Sequence, residues 1–101
     1  NSSKINFAYA LASNINCPIE YLKYFIKINY IFLQRYVLSN ENCPANLIEE
    51  FSNNISYHNS IIQNKNCSHI ILKKIYKIWK GDSIMIFKIE NHRNWKFVDF
   101  I

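Results

Sequence analysis

The sequence contains no uninterrupted apolar run long enough to cross a bilayer. Its longest mostly apolar stretch, Tyr21 to Leu38, is broken by Lys23, Lys27, Asn29, Gln34 and Arg35, so no membrane span is expected. The start, Asn1-Ser2-Ser3-Lys4, has neither an initiator Met nor the basic-then-apolar layout of a secretory leader, which reads as a processed chain or a fragment. Acidic residues are few and scattered, with only Glu49 and Glu50 adjacent, so no carboxylate pair suited to acid–base catalysis stands out. An even cysteine complement is missing as well. Three Cys do not make the disulfide framework of a small secreted domain, and a reducing, cytoplasmic setting is the expectation.

What is present favours a folded single domain over residues 1–101. Half the residues are apolar and 16% are aromatic, which argues against disorder. Asn and Ile together make up about a third of the chain, a bias that also inflates Lys. The net charge of +5 is unevenly placed. Residues 1–64 carry Lys4, Lys23, Lys27 and Arg35 against Glu20, Glu41, Glu49 and Glu50, whereas residues 65–101 carry eight basic residues against Asp82, Glu90 and Asp99. The whole excess therefore lies in the last third.

An internal recurrence organises the chain. Ser13-Asn14-Ile15-Asn16-Cys17-Pro18 returns as Ser39-Asn40-Glu41-Asn42-Cys43-Pro44 and as Gln63-Asn64-Lys65-Asn66-Cys67-Ser68, at offsets of 26 and 24 residues. Apolar positions stay in register on both sides: Tyr21, Leu47 and Ile71; Leu22, Ile48 and Leu72; Phe25, Phe51 and Ile75; and upstream Ile5, Ile31 and Ile55; Phe7, Leu33 and Tyr57; Leu11, Val37 and Ile61. A period near 25 residues is the mark of a stacked array. Pro18 and Pro44 suit the first position of a helix, and Ser68 can cap one with its hydroxyl. Tyr21, Leu22, Phe25, Ile26 and Ile28, and then Ile71, Leu72, Ile75, Ile78 and Trp79, follow helical spacing. The shorter stretches Ile31 to Leu38 and Ile55 to Ile62 are expected to stop at Asn40 and Asn64, since Asn tolerates the left-handed conformation that often closes a helix. The lone glycine, Gly81, is expected to play that part after Trp79. Beyond it, Asp82-Ser83 can start a helix from Ile84 to Glu90, a segment whose Ile-Met-Ile-Phe also suits a strand, and Asn91-His92-Arg93-Asn94-Trp95 reads as a worn fourth turn.

On these residues, Asn40-Glu41-Asn42-Cys43-Pro44 with Ile48 and Phe51 and their counterparts around Cys17 and Cys67, the chain resembles the leucine-rich repeat variant family over roughly residues 5–78. The resemblance implies alternating α and 3₁₀ helices in a right-handed superhelix without strands. The expected fold is thus all-α, a right-handed α-solenoid of repeats at roughly 5–30, 31–54 and 55–80 with a degenerate unit at 82–101. The chain departs from the family where Tyr9 and Asn59 stand in the place of Arg35, and where Ser68 replaces the proline. Its connecting segments are also longer and more aromatic, so short α-helices paired as in HEAT-like proteins are the alternative to 3₁₀ turns. Some members carry an Fe-S cluster in a separate Cys-rich segment, which this sequence lacks.

Chemical constellations are sparse. Equivalent positions on stacked helices lie roughly 8–10 Å apart, beyond the Cα separation of about 7 Å that a disulfide tolerates and the ~2.3 Å reach of zinc. Cys17, Cys43 and Cys67 are therefore expected as small buried hydrophobes. His58, His69 and His92 show no ligand spacing and are expected at or near the surface. Gly81-Asp82-Ser83-Ile84 resembles the nucleophile block of GDS-type lipases, but it follows a basic helix instead of a strand, and the later Asp-x-x-His is missing. No enzyme, metal or cofactor is expected.

One charged feature remains. Lys73, Lys77 and Lys80, with Lys74 beside them, lie opposite the stripe of Ile71, Leu72, Ile75 and Ile78. Lys65, Lys88, Arg93 and Lys96 can extend this positive face, with Trp95 as a stacking surface. The expected function is a non-catalytic interaction module for a protein partner. The alternative is a solenoid that binds nucleic acid through Lys73, Lys74, Lys77, Lys80, Lys88, Arg93 and Lys96. The apolar tail Trp95-Lys96-Phe97-Val98-Asp99-Phe100-Ile101 can cap the stack, continue it or mediate self-association.

Overall fold

The computed structural model describes residues 2–97. Among them it contains seven α-helices and no strand: α1 (Ser2–Ala12), α2 (Ile19–Ile26), α3 (Ile31–Ser39), α4 (Ala45–Phe51), α5 (His58–Gln63), α6 (His69–Ile78) and α7 (Ser83–Glu90). A 3₁₀ turn, Ile55–Tyr57, leads into α5. The segment after Gly81 is thus the helix of the two readings offered by its sequence. The alternation of α and 3₁₀ implied by the family resemblance is absent among the described residues, because stretches such as Ile31–Ser39 are long enough to close full α turns. Val98, Asp99, Phe100 and Ile101, and with them the reading of the apolar tail, lie outside the described residues.

Local chemistry sets the helix ends. Pro18 and Pro44 sit one place earlier than expected, as extended caps with φ of −61° and −59°. Ser68 Oγ accepts from the amide of Ile71 at 3.2 Å, and Asp82 Oδ1 accepts from Ile84 and Met85 at 3.0 Å each. Two of the orphan amides at the start of α7 are thereby satisfied.

The expected left-handed stops do not form. Asn40 and Asn64 are extended, with φ of −75° and −74°, and no described residue, Gly81 included, has a positive φ. The reason lies in the asparagine side chains. Each Oδ1 accepts from the amide two residues on, Asn16 to Asn14 at 2.8 Å, Asn42 to Asn40 at 2.8 Å and Asn66 to Asn64 at 2.9 Å. That side-chain turn reverses the chain without left-handed backbone. Gly81 lies in a turn closed by the Asp82 amide on Trp79 O at 2.8 Å.

The same carboxamides join successive turns. Asn40 Nδ2 donates to Ala12 O at 2.7 Å and Asn14 O at 2.8 Å, and Asn64 Nδ2 donates to Leu38 O at 2.8 Å and Asn40 O at 2.7 Å. In the last turn His92 fills this position. Its Nδ1 accepts from the Asn94 amide at 3.0 Å, which leaves Nε2 to donate to Asn64 O at 2.7 Å. Asn42, Asn66 and Asn94 add a second line of bonds, Asn42 to Ile15 O at 2.5 Å, Asn66 to Glu41 O at 2.8 Å and Asn94 to Cys67 O at 2.9 Å.

Around this line of turns α1 packs on α3, α3 on α5 and α5 on α7, while α2 packs against both α1 and α3. The described molecule is elongated, 49 × 22 × 20 Å. Leu22, Leu33, Val37, Leu38, Ile61, Leu72, Ile75 and Ile89 are fully buried, each contributing about 1.5–3 kcal/mol by leaving water. Ile78 and Tyr21, assigned by periodicity to buried stripes, are 54% and 51% exposed, because each lies at the edge of its helix's packed face. His58 departs furthest from expectation, being fully buried instead of near the surface. Its Nδ1 accepts the Trp79 indole N–H at 2.8 Å, so Nε2 carries the proton and donates to Ser52 O at 2.7 Å.

Candidate interaction surfaces

Residues at the front of α1, α3 and α5 enclose a hollow of about 380 Å³ lined by Tyr9, Phe32, Arg35, Tyr36, Ser39, Ser60 and Gln63. Aromatic packing shapes it, with the Tyr9 ring 5.3 Å from Tyr36 and 6.0 Å from Tyr30. Burial, a hydrogen bond shared with Tyr30 and the neighbouring phenols of Tyr30 and Tyr36 push the Tyr9 hydroxyl up to about 12, so it stays a neutral donor throughout the physiological range. Arg35 is held in place: Nε and Nη2 donate to Ser56 O at 3.2 and 3.1 Å, and the guanidinium carbon lies 5.6 Å from the Phe32 ring centre. Among the described residues no carboxylate pairs with it. The hollow therefore offers stacking faces, hydroxyl and amide groups, and one oriented cation. Phe32 at 55% and Tyr36 at 44% exposure extend its apolar surface outward.

A larger hollow of about 780 Å³ lies between α1 and α2, lined chiefly by Phe7, Ala8, Leu11, Tyr21, Tyr24 and Phe25, with Lys4 and Glu20 its charged members. It is far more apolar than the first, and Phe7 and Tyr24 are 68% and 63% exposed.

The basic residues expected to form one face divide into groups. Lys73 and Lys77 lie on α6 and Lys80 just beyond its end, Lys77 and Lys80 exposed and Lys73 half-buried. Lys74 turns away from them to the end of α4, where its Nζ donates to Ser52 Oγ at 3.0 Å and Asn53 Oδ1 at 2.6 Å. Lys88 reaches α5 at Asn59 Oδ1, 3.1 Å away. Arg93 clasps the preceding turn through Lys65 O at 2.8 Å and Asn66 Oδ1 at 2.7 Å, and Lys65 pairs with Glu41 at 3.4 Å. Arg93 and Lys96 share a small hollow with Ser68 and His69. Trp95 is not an outward stacking surface. It is 9% exposed and its ring stacks on Tyr76 at 4.8 Å, in the place taken by cysteine in the earlier turns.

The cysteines are free and buried. Each thiol points to the carbonyl of the next residue, at 3.6 Å for Cys17, 3.8 Å for Cys43 and 3.7 Å for Cys67. Burial raises all three, Cys43 and Cys67 up to about 12, which keeps them protonated and poor nucleophiles. Among the described residues no group of three or more His, Cys, Asp or Glu is placed to hold a metal ion, and no helix is long and apolar enough to cross a membrane.

The aromatic hollow and the His58–Trp79 pair were missed by sequence reasoning. A signal for the hollow was present, since Tyr9 and Arg35 occupy equivalent positions in the recurrence. Comparison with protein-family models, with curated proteins and with solved structures finds no match to this chain.

Proposed function

We propose that this chain is a non-catalytic interaction module, a right-handed α-solenoid of about three to four units of the leucine-rich repeat variant kind, that binds a protein partner in a reducing, cytoplasmic setting. The reading is supported by the recurrence at 26 and 24 residues together with the matching bonds from Asn40, Asn64 and His92 to the turn before each. Stacked helical units present long surfaces along a row of equivalent helices, which suits recognition of another chain more than enclosure of a substrate. One observation carries the functional part: the hollow across α1, α3 and α5, with Tyr9, Phe32 and Tyr36 around an Arg35 that has no carboxylate partner among the described residues. Aromatic residues and arginine are the types that dominate protein interfaces.

A photo-crosslinking amino acid placed at Phe32 tests this, with the same group at Glu49 on α4 as control. A discrete protein adduct is expected from position 32 and lost in a Tyr36→Ala background. The same adduct pattern from both positions refutes the reading.

A second reading, binding to nucleic acid, is favoured by the run of Lys73, Lys77 and Lys80, for which no hydrogen bond or ion pair is found among the described residues. Reversing these three charges is expected to flatten the salt dependence of nucleic-acid binding by about two to three units of slope. Absence of binding to any nucleic acid at low salt eliminates it.

A further inference from the structure

The large apolar hollow at the α1–α2 end differs from the aromatic one in a way the recurrence makes specific. Phe7 is 68% exposed, whereas its counterparts Leu33 and Met85 are 0% and 7% exposed and Tyr57 is half-buried. Leu33 is covered by the unit before it, where it closes the floor of this same hollow. Asn14 behaves likewise. It makes the same side-chain turn as Asn40 and Asn64, with its Oδ1 on the Asn16 amide at 2.8 Å, but it is exposed, whereas they are 6% and 0% exposed. Each later asparagine donates to two carbonyls of the turn before it. No such acceptor for Asn14 Nδ2 lies among the described residues. The end thus presents an exposed amide donor at Asn14 and, between α1 and α2, an apolar hollow of about 780 Å³.

The opposite end offers the complementary groups. By the same register Glu90 and His92 hold the places of Leu38 and Asn40, whose carbonyls receive Asn64. His92 keeps the turn that aims those carbonyls, through the Asn94 amide on its Nδ1. Ile86 stands where Gln34 and His58 stand, of which Gln34 reaches forward to Tyr57 of the following unit and His58 pairs with Trp79 at the close of its own; it is only half-buried, whereas Gln34 and His58 are 7% and 0% exposed.

We propose that the Asn14 end of one molecule receives the His92 turn of a second copy, so that copies associate end to end by continuing the step that joins turns within the chain. The inference rests on the repeat reading above. Because the two surfaces differ, the contact is heterologous and does not close at two copies.

Sedimentation velocity on the full chain, over a range of concentrations, reads this directly. The mass is expected to rise past the dimer. Phe7→Asp blocks one end and Ile86→Lys the other, so each variant alone is expected to be monomeric, and an equimolar mixture to stop at a one-to-one dimer. Asn14→Ala alters an exposed turn residue and is expected to weaken association about thirtyfold, the loss of two ordinary hydrogen bonds. Circular dichroism of each variant checks that it folds. A wild-type chain that stays monomeric at every concentration overturns the proposal. So does Ile86→Lys assembling as well as wild type, which would mean that like ends pair, or Asn14→Ala having no effect. A folded monomer with an intact Asn64 dependence would sink only the end-to-end contact and leave the repeat reading standing.

Discussion

Replacing Asn64 by Ala removes three hydrogen bonds at once: the Nδ2 bonds to Leu38 O and Asn40 O and the Asn66 amide on Oδ1. At about 1 kcal/mol net for each, the direct loss is about 3 kcal/mol. The groups left behind do not fare equally. Asn40 O still accepts from the Cys43 amide at 2.9 Å, and the Asn66 amide belongs to an exposed residue that water can reach. Leu38 is fully buried, so its carbonyl is stranded, which adds about 1–2 kcal/mol. The total, about 4–5 kcal/mol, is a large part of the 5–15 kcal/mol typical of a domain. With a urea m-value of about 1–1.5 kcal/mol/M for a chain this small, the unfolding midpoint is expected to fall by about 3–5 M with m unchanged. Asn64→Asp sharpens the test. It keeps the acceptor for Asn66 but sets a buried carboxylate against two carbonyl oxygens, so at neutral pH it should be worse than Ala. Below the carboxyl's ordinary range near 4, the added proton supplies a donor and part of the loss should return. Asn16→Ala, on an exposed asparagine of the first turn, is the control and should change stability by less than about 0.5 kcal/mol. The reasoning is refuted if Asn64→Ala lies within about 1 kcal/mol of wild type, or if Asp and Ala are equal at pH 7.

Three further outcomes follow from the same structure. His58→Phe leaves the Trp79 N–H and Ser52 O without their partner and should cost about 2–4 kcal/mol in chemical denaturation, with Trp79→Phe adding less than its own effect because the pair is coupled. Cys43 and Cys67 ionise near 12 when folded but at about 8.5 when unfolded. The stability they confer is complete below about pH 8.5 and falls above it by about 1.4 kcal/mol per pH unit for each thiol, a slope that Cys43→Ala with Cys67→Ala should remove from the pH–stability curve. Gly81→Ala should be neutral or stabilising by up to about 1 kcal/mol in thermal unfolding, because φ is not positive there and a Cβ meets nothing within 4 Å; a loss above 1 kcal/mol would contradict the turn described.

The helices and the core were legible because they rest on periodicity and local capping. The aligned triplet Leu22, Ile48 and Leu72 is buried, and Ser68 and Asp82 cap as their chemistry suggests. The role of the asparagines was legible only by position. Their place at each turn was plain, but a left-handed stop and a side-chain turn occur at the same residue type, and only the partner carbonyls, 24 to 28 residues away, decide between them. His58 and Trp79, 21 residues apart, likewise declare themselves only once packed. The basic face was the least legible part. Helical spacing places Lys74 near Lys73 and Lys77, but it does not reveal that Ser52 and Asn53 stand within reach to turn it aside.

The exchange of asparagine for histidine at the fourth turn says what that position demands. Both side chains carry an acceptor bonded to Cγ, Oδ1 or Nδ1, and a separate donor that points away from it, Nδ2 or Nε2. The acceptor folds its own loop and the donor grips the neighbouring loop, whichever residue supplies them. The difference is in number, since a carboxamide has two donor protons and an imidazole one, so His92 contributes a single bond to its joint where Asn40 and Asn64 each contribute two. A search pattern for this architecture is therefore better written as a requirement for a side chain with both an acceptor and a donor two residues before a second asparagine than as Cys-Pro. The stretch His92-Arg93-Asn94-Trp95 shows how completely the letters can change while that valency is kept.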